Sequence, residues 1–237
     1  MINRNSIARA LALGSLIAAP CIAHAEDAPF SHVGVAVTAG FSGLGADLGT
    51  NINDYLGLRA SVASFSINHN GDYGTSVSWD AKLKLFQAGL LLDVYPFTGT
   101  FRLTAGMVKD GNKFTMDGKP AGSTFTFNGN SYPSAAIPSA SASVDWNKTA
   151  PYLGLGWGSL SNSAGFHFTS DFGVLITGSP KASISVGCNA ALLASSGSPY
   201  TCSTLSSDVA AEQAKLQNDV NKINVWPVIR FGIGYTF

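Results

Sequence analysis

The sequence predicts an all-β protein: an eight-stranded antiparallel transmembrane β-barrel with long extracellular loops and one short helix before the last strand. Three observations lead to this fold class. Of the 237 residues, 46% are hydrophobic and 12% are charged, and the charged share is about half that of a soluble domain. After residue 25 no apolar run approaches the ~18 residues of a transmembrane helix. Stretches of alternating polarity recur instead, and a spanning chain without helices satisfies its backbone hydrogen bonds only as a closed barrel.

The amino end predicts export. Residues 1–25 have the features of a secretory signal peptide: Arg4 and Arg9 charge its start, an apolar run covers residues 10–19, and the small-residue sequence AHA precedes the expected cleavage site. Residues 26–237 would then form the barrel domain, with 12 basic and 14 acidic residues and a formal charge of −2. This balance, without a Lys or Arg run, argues against nucleic acid as a partner.

Eight stretches have the period of a β-strand. In the last, Ile229, Phe231 and Ile233 alternate with polar residues and glycines. In the fourth, the parity of the apolar residues changes near Leu85 and Phe86, which predicts a β-bulge. The predicted strands cover residues 33–41, 46–52, 56–62, 76–95, 101–107, 145–157, 166–176 and 225–237.

The connections predict which end of the barrel faces the periplasm. Short turns at Asn53, Pro96 and Ser159 alternate with longer connections, one of them a loop at residues 68–74. An even number of strands places both termini and all three short turns at the periplasmic end. Aromatic residues near that end are typical of an interfacial girdle: Tyr55, Tyr95, Trp157, Tyr235 and Phe237.

The two longest connections carry their own secondary-structure signals. Residues 110–143 are largely polar, and a short strand pattern at residues 123–127 precedes Asn128-Gly129. Residues 208–223 have helical spacing, with Asp208 as the expected N-cap. We expect this helix to pack on the barrel mouth, because an isolated helix of this length is marginal in water. The alternative is a surface for a partner or for lipopolysaccharide.

Six charged residues fall within the membrane-depth spans of the predicted strands, and all six have the inward parity. A charge facing lipid would cost about 2–4 kcal/mol at mid-depth, which gives this pattern a physical reason. Buried charges need partners, and neighbouring strands offer the pairs Asp47 with Arg59, Asp93 with Arg102, and Asp171 with Arg230. Replacing Arg230 with Met is therefore expected to leave Asp171 unpaired.

Two interpretations of these interior charges remain open. Salt bridges could fill the interior and hold the barrel closed, which we favour because small barrels are filled by side chains. Alternatively, the charges could line a narrow or gated channel.

Two further groups of residues have side chains suited to chemistry. His167, Thr169 and Asp171 share one face and loosely resemble the catalytic set of lipid hydrolases. Because the set faces inward and lacks a serine, a hydrogen-bonded structural histidine is the preferred interpretation. Cys188 and Cys202 are the only cysteines after residue 25 and predict a disulfide in an exported protein. The sequence predicts no catalytic residue, cofactor or metal site.

The last strand resembles the terminal strand of bacterial outer-membrane barrels, with Arg230, Gly232, Tyr235 and Phe237 at the matching positions. This resemblance implies an assembly signal recognised by the barrel-assembly machinery. The fragments NDYLGLR, DVYPFTGTFRLTAG with GNKF, APYLGLGWG and FGVLITGSPK are similar to a family of small proteobacterial outer-membrane proteins related in architecture to the OmpA transmembrane domain.

That family resemblance implies an outer-membrane location, with membrane lipid and lipopolysaccharide as neighbours, and carries no assigned activity. We therefore expect a structural or surface-interaction role. The alternatives are a narrow passive channel for small solutes and, third, a lipid-modifying enzyme.

Overall fold

The computed structural model describes residues 29–72, 77–120, 124–146, 148–160 and 164–237. The signal peptide predicted for residues 1–25 lies outside these ranges. In chain order the elements are β1 (Val33–Gly40), β2 (Gly43–Asn53), β3 (Leu56–Asp72), β4 (Val77–Val94), β5 (Phe101–Asp110), β6 (Lys113–Pro120), β7 (Thr124–Phe127), β8 (Asn130–Pro133), a 3₁₀ turn (Ser134–Ala136), β9 (Ala140–Asp145), β10 (Lys148–Trp157), β11 (Gly165–Leu175), β12 (Lys181–Val186), α1 (Ala190–Ser195), α2 (Cys202–Val220) and β13 (Trp226–Thr236).

Eight of these strands close into an antiparallel ring. Each pairs with its neighbours in the order β1-β2-β3-β4-β5-β10-β11-β13, and β13 returns to pair with β1. The eight strands coincide with the eight predicted from the alternating pattern, apart from shifts at their ends. Residues with one parity face the interior of the ring and residues with the other face its exterior, as the period-two alternation of a strand requires.

The two ends of the ring differ. One end, here called the short-turn end, carries the turns after β2, β4 and β10. The other, the long-connection end, carries residues 111–120, 124–146 and 176–225. Two links at this second end are shorter than predicted. Only residues 41–42 join β1 to β2. β3 continues to Asp72, so the prediction that a loop begins at residue 68 is wrong.

Strand β4 shows why its apolar residues change parity. Its register with β3 is unbroken from Leu56 opposite Val94 to Asp72 opposite Ser78, so the predicted β-bulge is wrong. Within the ring, the exterior side chain of Leu90 is 62% exposed, whereas nearer the long-connection end the interior side chain of Leu85 is only 5% exposed. The apolar residues change from the exterior face to the interior face because the surroundings of β4 change along its length, while the strand itself stays regular.

The sheet continues beyond the ring through three more strands. β6 pairs with the part of β4 nearer the long-connection end, β9 pairs with β6, and β12 pairs with β9. We call β6, β9 and β12 the sheet extension. Helix α2 lies along β12, the outermost strand of the sheet extension. The Gln217 and Gln213 side-chain oxygens accept hydrogen bonds from the backbone N–H groups of Ala182 (2.8 Å) and Ile184 (3.1 Å), and Gln217 Nε2 donates to the Pro180 carbonyl.

The remaining elements form an end layer, made of β7, β8, the 3₁₀ turn, α1 and α2. The predicted strand before Asn128-Gly129 is present as β7. The positive φ angles of Asn128 (49°) and Gly129 (85°) suit the two-residue turn that joins it to β8. The layer has its own hydrophobic cluster: Phe125, Tyr132, Ala136, Ile137, Ala140, Leu193 and Leu205.

The helical prediction needs correction at its start. The helix begins at Cys202, after the N-cap Thr201, whose side chain forms a capping box with Thr204. Asp208, the expected N-cap, lies within the helix. A second, shorter helix, α1, precedes it. The disulfide between Cys188 and Cys202 is present, with a Cα–Cα distance of 5.9 Å, and it ties the start of α2 to the segment after β12.

We expect the disulfide to stabilise the end layer. Closing a loop of this size is worth about 3 kcal/mol in the chain-entropy model, and the two cysteines are 14 positions apart. The double variant Cys188→Ser, Cys202→Ser would therefore be cleaved faster by protease between residues 188 and 202, while the ring stays protected. A reducing agent serves as the matched test: it accelerates cleavage of the wild type but not of the double variant. Equal cleavage of both oxidised proteins would contradict the prediction.

Candidate functional site

The six interior charges form one connected network inside the ring. Five of them are at most 3% exposed, and Arg230 is 5% exposed. The three pairs predicted from the sequence are all within ion-pair distance, and four further contacts join them. The N–O distances are 2.9 Å for Arg59–Asp47, 2.8 Å for Arg59–Asp93, 3.0 Å for Arg59–Asp171, 3.6 Å for Arg102–Asp93, 2.8 Å for Arg102–Asp171, 3.3 Å for Arg230–Asp47 and 3.0 Å for Arg230–Asp171.

One contact crosses the full width of the ring. Arg59 is on β3 and Asp171 on β11, which are four places apart in a ring of eight and therefore directly opposite. The Arg59 Nη1 and Nη2 atoms donate to Asp171 Oδ2 and Oδ1, both at 3.0 Å. This is the bidentate geometry in which guanidinium–carboxylate bonds are strongest. Two side chains thus bridge the interior from wall to wall.

Neutral groups that the charge pattern did not predict complete the network. Thr104 Oγ1 donates to Asp93 Oδ1 at 2.6 Å, and Ser61 Oγ accepts from Arg230 Nη1 at 2.6 Å. Arg102 donates to Thr169 Oγ1 at 3.0 Å and to the carbonyl oxygen of Gly158. Their inward parity, close to that of the six charges, is the signal that could have identified Ser61, Thr104 and Thr169.

Leu160 fills the interior at the short-turn end. It belongs to the connection after β10 and is 4% exposed. Three strands carry glycine where it packs: an added Cβ would lie 2.3 Å from the Leu160 carbonyl oxygen at Gly34, 2.9 Å from its Cβ at Gly49, and 2.5 Å from its Cδ2 at Gly234. The sequence pattern predicts only a short turn here and does not identify Leu160 as a buried residue.

An apolar layer fills the interior on the other side of the charges. It consists of Leu91, Val108, Ala150, Tyr152, Leu175 and Val228. Between this layer and the network lies a cavity of about 20 Å³, lined in part by Ser61, Gln87, Tyr152 and Arg230. That volume holds about one water molecule. The interior is therefore occupied at three successive levels.

Two residues of the candidate catalytic set, Thr169 and Asp171, belong to this network. Both Asp171 oxygens accept hydrogen bonds from arginines, and Thr169 accepts one from Arg102. These contacts support the structural interpretation of the His167 face. Of the predicted interfacial aromatics, Tyr95 is 1% exposed, so it does not belong to an exterior girdle.

The four residues of the predicted assembly signal lie on or beside β13. Arg230 joins the network, and Tyr235 faces the exterior with its ring 4.9 Å from that of Phe237. At Gly232 an added Cβ would lie 2.6 Å from the Val37 carbonyl oxygen, so the wall is close-packed there. Their recognition by an assembly machinery stays a prediction.

A second polar cluster stabilises the end layer. The carboxylate of Asp208, on α2, accepts hydrogen bonds from Tyr132 Oη (2.5 Å), Asn130 Nδ2 (2.7 Å) and Asn128 Nδ2 (3.2 Å). These donors hold the pKa of Asp208 below its ordinary value of 3.8, with the bond from Tyr132 contributing most. Burial, followed by the Asp208 carboxylate, raises the pKa of Tyr132 well above 10. The cluster fixes α2 to the β7–β8 turn.

Two kinds of feature are absent from the described residues. No helix in these ranges is long and apolar enough to cross a membrane. No group of three or more His, Cys, Asp or Glu side chains in them could hold a metal ion.

The fold is similar to solved structures. The crystal structure of CarO2 from Acinetobacter baumannii superposes with a TM-score of 0.55 at 19% sequence identity, covering 90% of this chain and all (100%) of CarO2. CarO from the same organism gives 0.53 and 19%, covering 86% and 97% of the two chains. No protein-family model matches the sequence, and no curated protein matches it. At this identity the likeness concerns the fold alone, and the OmpA-like family membership stays a prediction.

The network predicts unequal effects for two matched arginine substitutions. Arg59→Met removes the partner shared by all three carboxylates, and breaking such a buried set costs about 3–5 kcal/mol of folding free energy. Arg230→Met costs less, because Asp171 keeps Arg59 and Arg102. It does not leave Asp171 unpaired, contrary to the expectation from the sequence. Urea unfolding followed by heat-modified gel mobility measures both. Equal loss of stability in the two variants would contradict the shared role of Arg59.

The Asp208 cluster predicts weakening of the end layer in acid. A carboxylate whose pKa is lowered by folding stabilises the fold at pH values above its unfolded pKa, and this contribution is lost as the pH falls through the folded pKa. Hydrogen-exchange protection of β7 and β8 is therefore expected to fall below about pH 4. Asp208→Asn would remove this pH dependence, whereas Asp219→Asn, on the exposed side of α2, would keep it. A pH profile unaffected by Asp208→Asn would refute the assignment.

Proposed function

We propose that this chain is an integral outer-membrane β-barrel with a side-chain-filled interior, and that its role is structural or interactive, with the end layer displayed at the cell surface. The contact between Arg59 and Asp171 across the full width of the ring carries this proposal. Three properties of the chain support this function: the apolar exterior of the ring, the change of polarity along the strands, and the occupied interior.

The exterior of the ring supports contact with lipid. Large apolar side chains are exposed on the ring's outer face, among them Val37 (70%), Leu90 (62%) and Ile233 (65%). A soluble monomer rarely exposes a continuous apolar surface. The six charges at the level of the apolar exterior instead face inward, which is the arrangement that a hydrocarbon surrounding favours.

Aromatic contacts support an interface near the short-turn end. Rings contact one another near this end on or beside β5, β10, β11 and β13, with centroid distances of 5.6 Å for Phe101–Trp157, 5.0 Å for Phe166–Tyr235 and 4.9 Å for Tyr235–Phe237. Aromatic girdles of this kind border the apolar band of outer-membrane barrels. We infer that the short-turn end lies at the periplasmic boundary.

The change of polarity along the sheet supports a membrane boundary at the other end. Beyond Phe86 the outer face of β4 carries Lys84 and Lys82, and the exterior of the sheet extension is polar. CarO and CarO2, which share the fold, are outer-membrane proteins, and this likeness is consistent with the same location.

The occupied interior favours a structural or surface-interaction role over the alternative of a narrow passive channel. A solute would have to break the Arg59–Asp171 contact and displace Leu160. Insertion would depend on the last strand as the signal for the barrel-assembly machinery, a partner that the sequence pattern suggests.

Exterior substitutions test the membrane orientation. Leu90→Arg places a charge on the proposed lipid face and is expected to cost about 2–4 kcal/mol of folding free energy into lipid vesicles. Asn68→Arg adds the same charge on the outer face of β3 beyond the boundary and is expected to have little effect. Folding into vesicles is measured by heat-modified gel mobility and protease protection. Equal effects of the two substitutions would argue against a lipid-facing belt.

Planar-bilayer recordings test the closed interior. The wild-type protein is expected to insert without single-channel steps, because its interior is occupied at three levels. Arg59→Ala combined with Leu160→Gly removes two of those levels and, if the variant still folds, is expected to produce conductance. Reproducible steps from the wild type would instead favour the channel.

A further inference from the structure

Lysine side chains gather where the apolar exterior ends. All nine lysines of the chain lie between residues 82 and 222, on strands or connections at the long-connection end. The three arginines of the described residues are inside the ring. Among the described residues, the positive charge on the exterior therefore lies at one end of the ring.

Several of these lysines form one lateral row across the sheet extension. Lys84 on β4 is directly opposite Lys113 on β6. Lys113 is opposite Asp145 on β9, which is opposite Lys181 on β12. Residues directly opposite on neighbouring strands point to the same face, with Cβ atoms about 5 Å apart, and all three lysines are exposed. We call Lys84, Lys113 and Lys181, with Asp145, the lysine row.

The three lysines of the row carry more positive charge than the single carboxylate of Asp145 neutralises. Lys113 Nζ lies 3.6 Å from Asp145 Oδ2, yet Lys84 is the cross-strand neighbour of Lys113, and like charges directly opposite destabilise a sheet. The next acidic pair on this face, Asp80 opposite Asp117, lies four residues farther from the ring along β4. An anion bound between Lys84 and Lys113 would relieve their repulsion.

The apolar surface adjoins the row directly. On β4 the exterior positions after Lys84 are Phe86, Ala88 and Leu90, and on β5 the exposed Met107 precedes Lys109 by two residues. Lys109 is opposite Ala88, so it adds a fourth cation at the same margin. A ligand on this face meets cations at one end and hydrocarbon at the other, a combination that fits an amphiphile with an anionic headgroup.

We propose that the lysine row and Lys109 bind the phosphate groups of lipid A, the lipid portion of lipopolysaccharide, with its acyl chains along the apolar exterior of β4 and β5. This inference rests on the proposed function, because the site faces the outer leaflet only if the ring spans the outer membrane. Basic residues beside a membrane surface attract anionic headgroups additively, and a row of ammonium groups matches a headgroup that carries two separated phosphates.

The test compares two variants with the same change in charge, using the full-length mature chain folded in detergent micelles. Lys84→Gln with Lys113→Gln alters the row, and Lys215→Gln with Lys222→Gln alters α2. The probes are bis-phosphorylated lipid A, dephosphorylated lipid A and inorganic phosphate, with binding measured by native mass spectrometry and titration calorimetry. Heat-modified gel mobility confirms that each variant is folded.

The row variant is expected to bind bis-phosphorylated lipid A about tenfold or more weakly than the wild type, and the α2 variant to bind like the wild type. Dephosphorylated lipid A and inorganic phosphate are expected to bind weakly to all three proteins. Unchanged lipid A binding by the folded row variant, or equal binding of the dephosphorylated lipid, would overturn this site. Failure of the wild type to insert into lipid vesicles would overturn the proposed function instead.

Discussion

The bidentate contact between Arg59 and Asp171 joins opposite walls of the ring, and the other interior charges are arranged around it. Asp47 and Asp93 bind Arg59, while Arg102 and Arg230 bind Asp171. An unpaired charge away from water is costly, and each carboxylate of the network has at least two arginine partners. Small residues allow the fit: an added Cβ at Gly156 would lie 3.3 Å from Arg102 Cζ.

The molecule combines two opposite ways of burying side chains. Within the ring the charges are inside and large apolar residues are exposed, whereas the sheet extension and the end layer bury apolar residues and expose polar ones. Strand β4 belongs to both regions without a break in its register. The exposed surface therefore changes from apolar to polar along a continuous backbone, so that one sheet suits two different surroundings.

The sequence predicted the ring well because strand periodicity is local. Alternation identified all eight strands and the parity of the six charges, and opposite signs on neighbouring strands identified three of the seven ion pairs. The contacts between distant strands, such as Arg59 with Asp171, depend on ring closure and cannot be read from spacing. The bulge prediction near Leu85 failed because a change of surroundings and a change of register give the same pattern.

Other residues were missed because their partners are far away in the chain. Leu160 lies in a turn, where no period marks a buried position, and its binding surface comes from three separate strands. Asp208 has a good capping side chain, but three donors about 80 positions away bind it, and Thr201 caps the helix instead. Local propensity is overridden wherever long-range contacts satisfy the same group.

The position of Gln213 and Gln217 limits how far the sheet can grow. The free edge of β12 would otherwise present the N–H groups of Ala182 and Ile184 as a template for another chain. Two amide side chains, one helical turn apart, occupy those donors at the two-residue spacing of a paired strand. Helix α2 thus imitates a neighbouring strand, which leaves copies of this protein little backbone at that margin through which to polymerise.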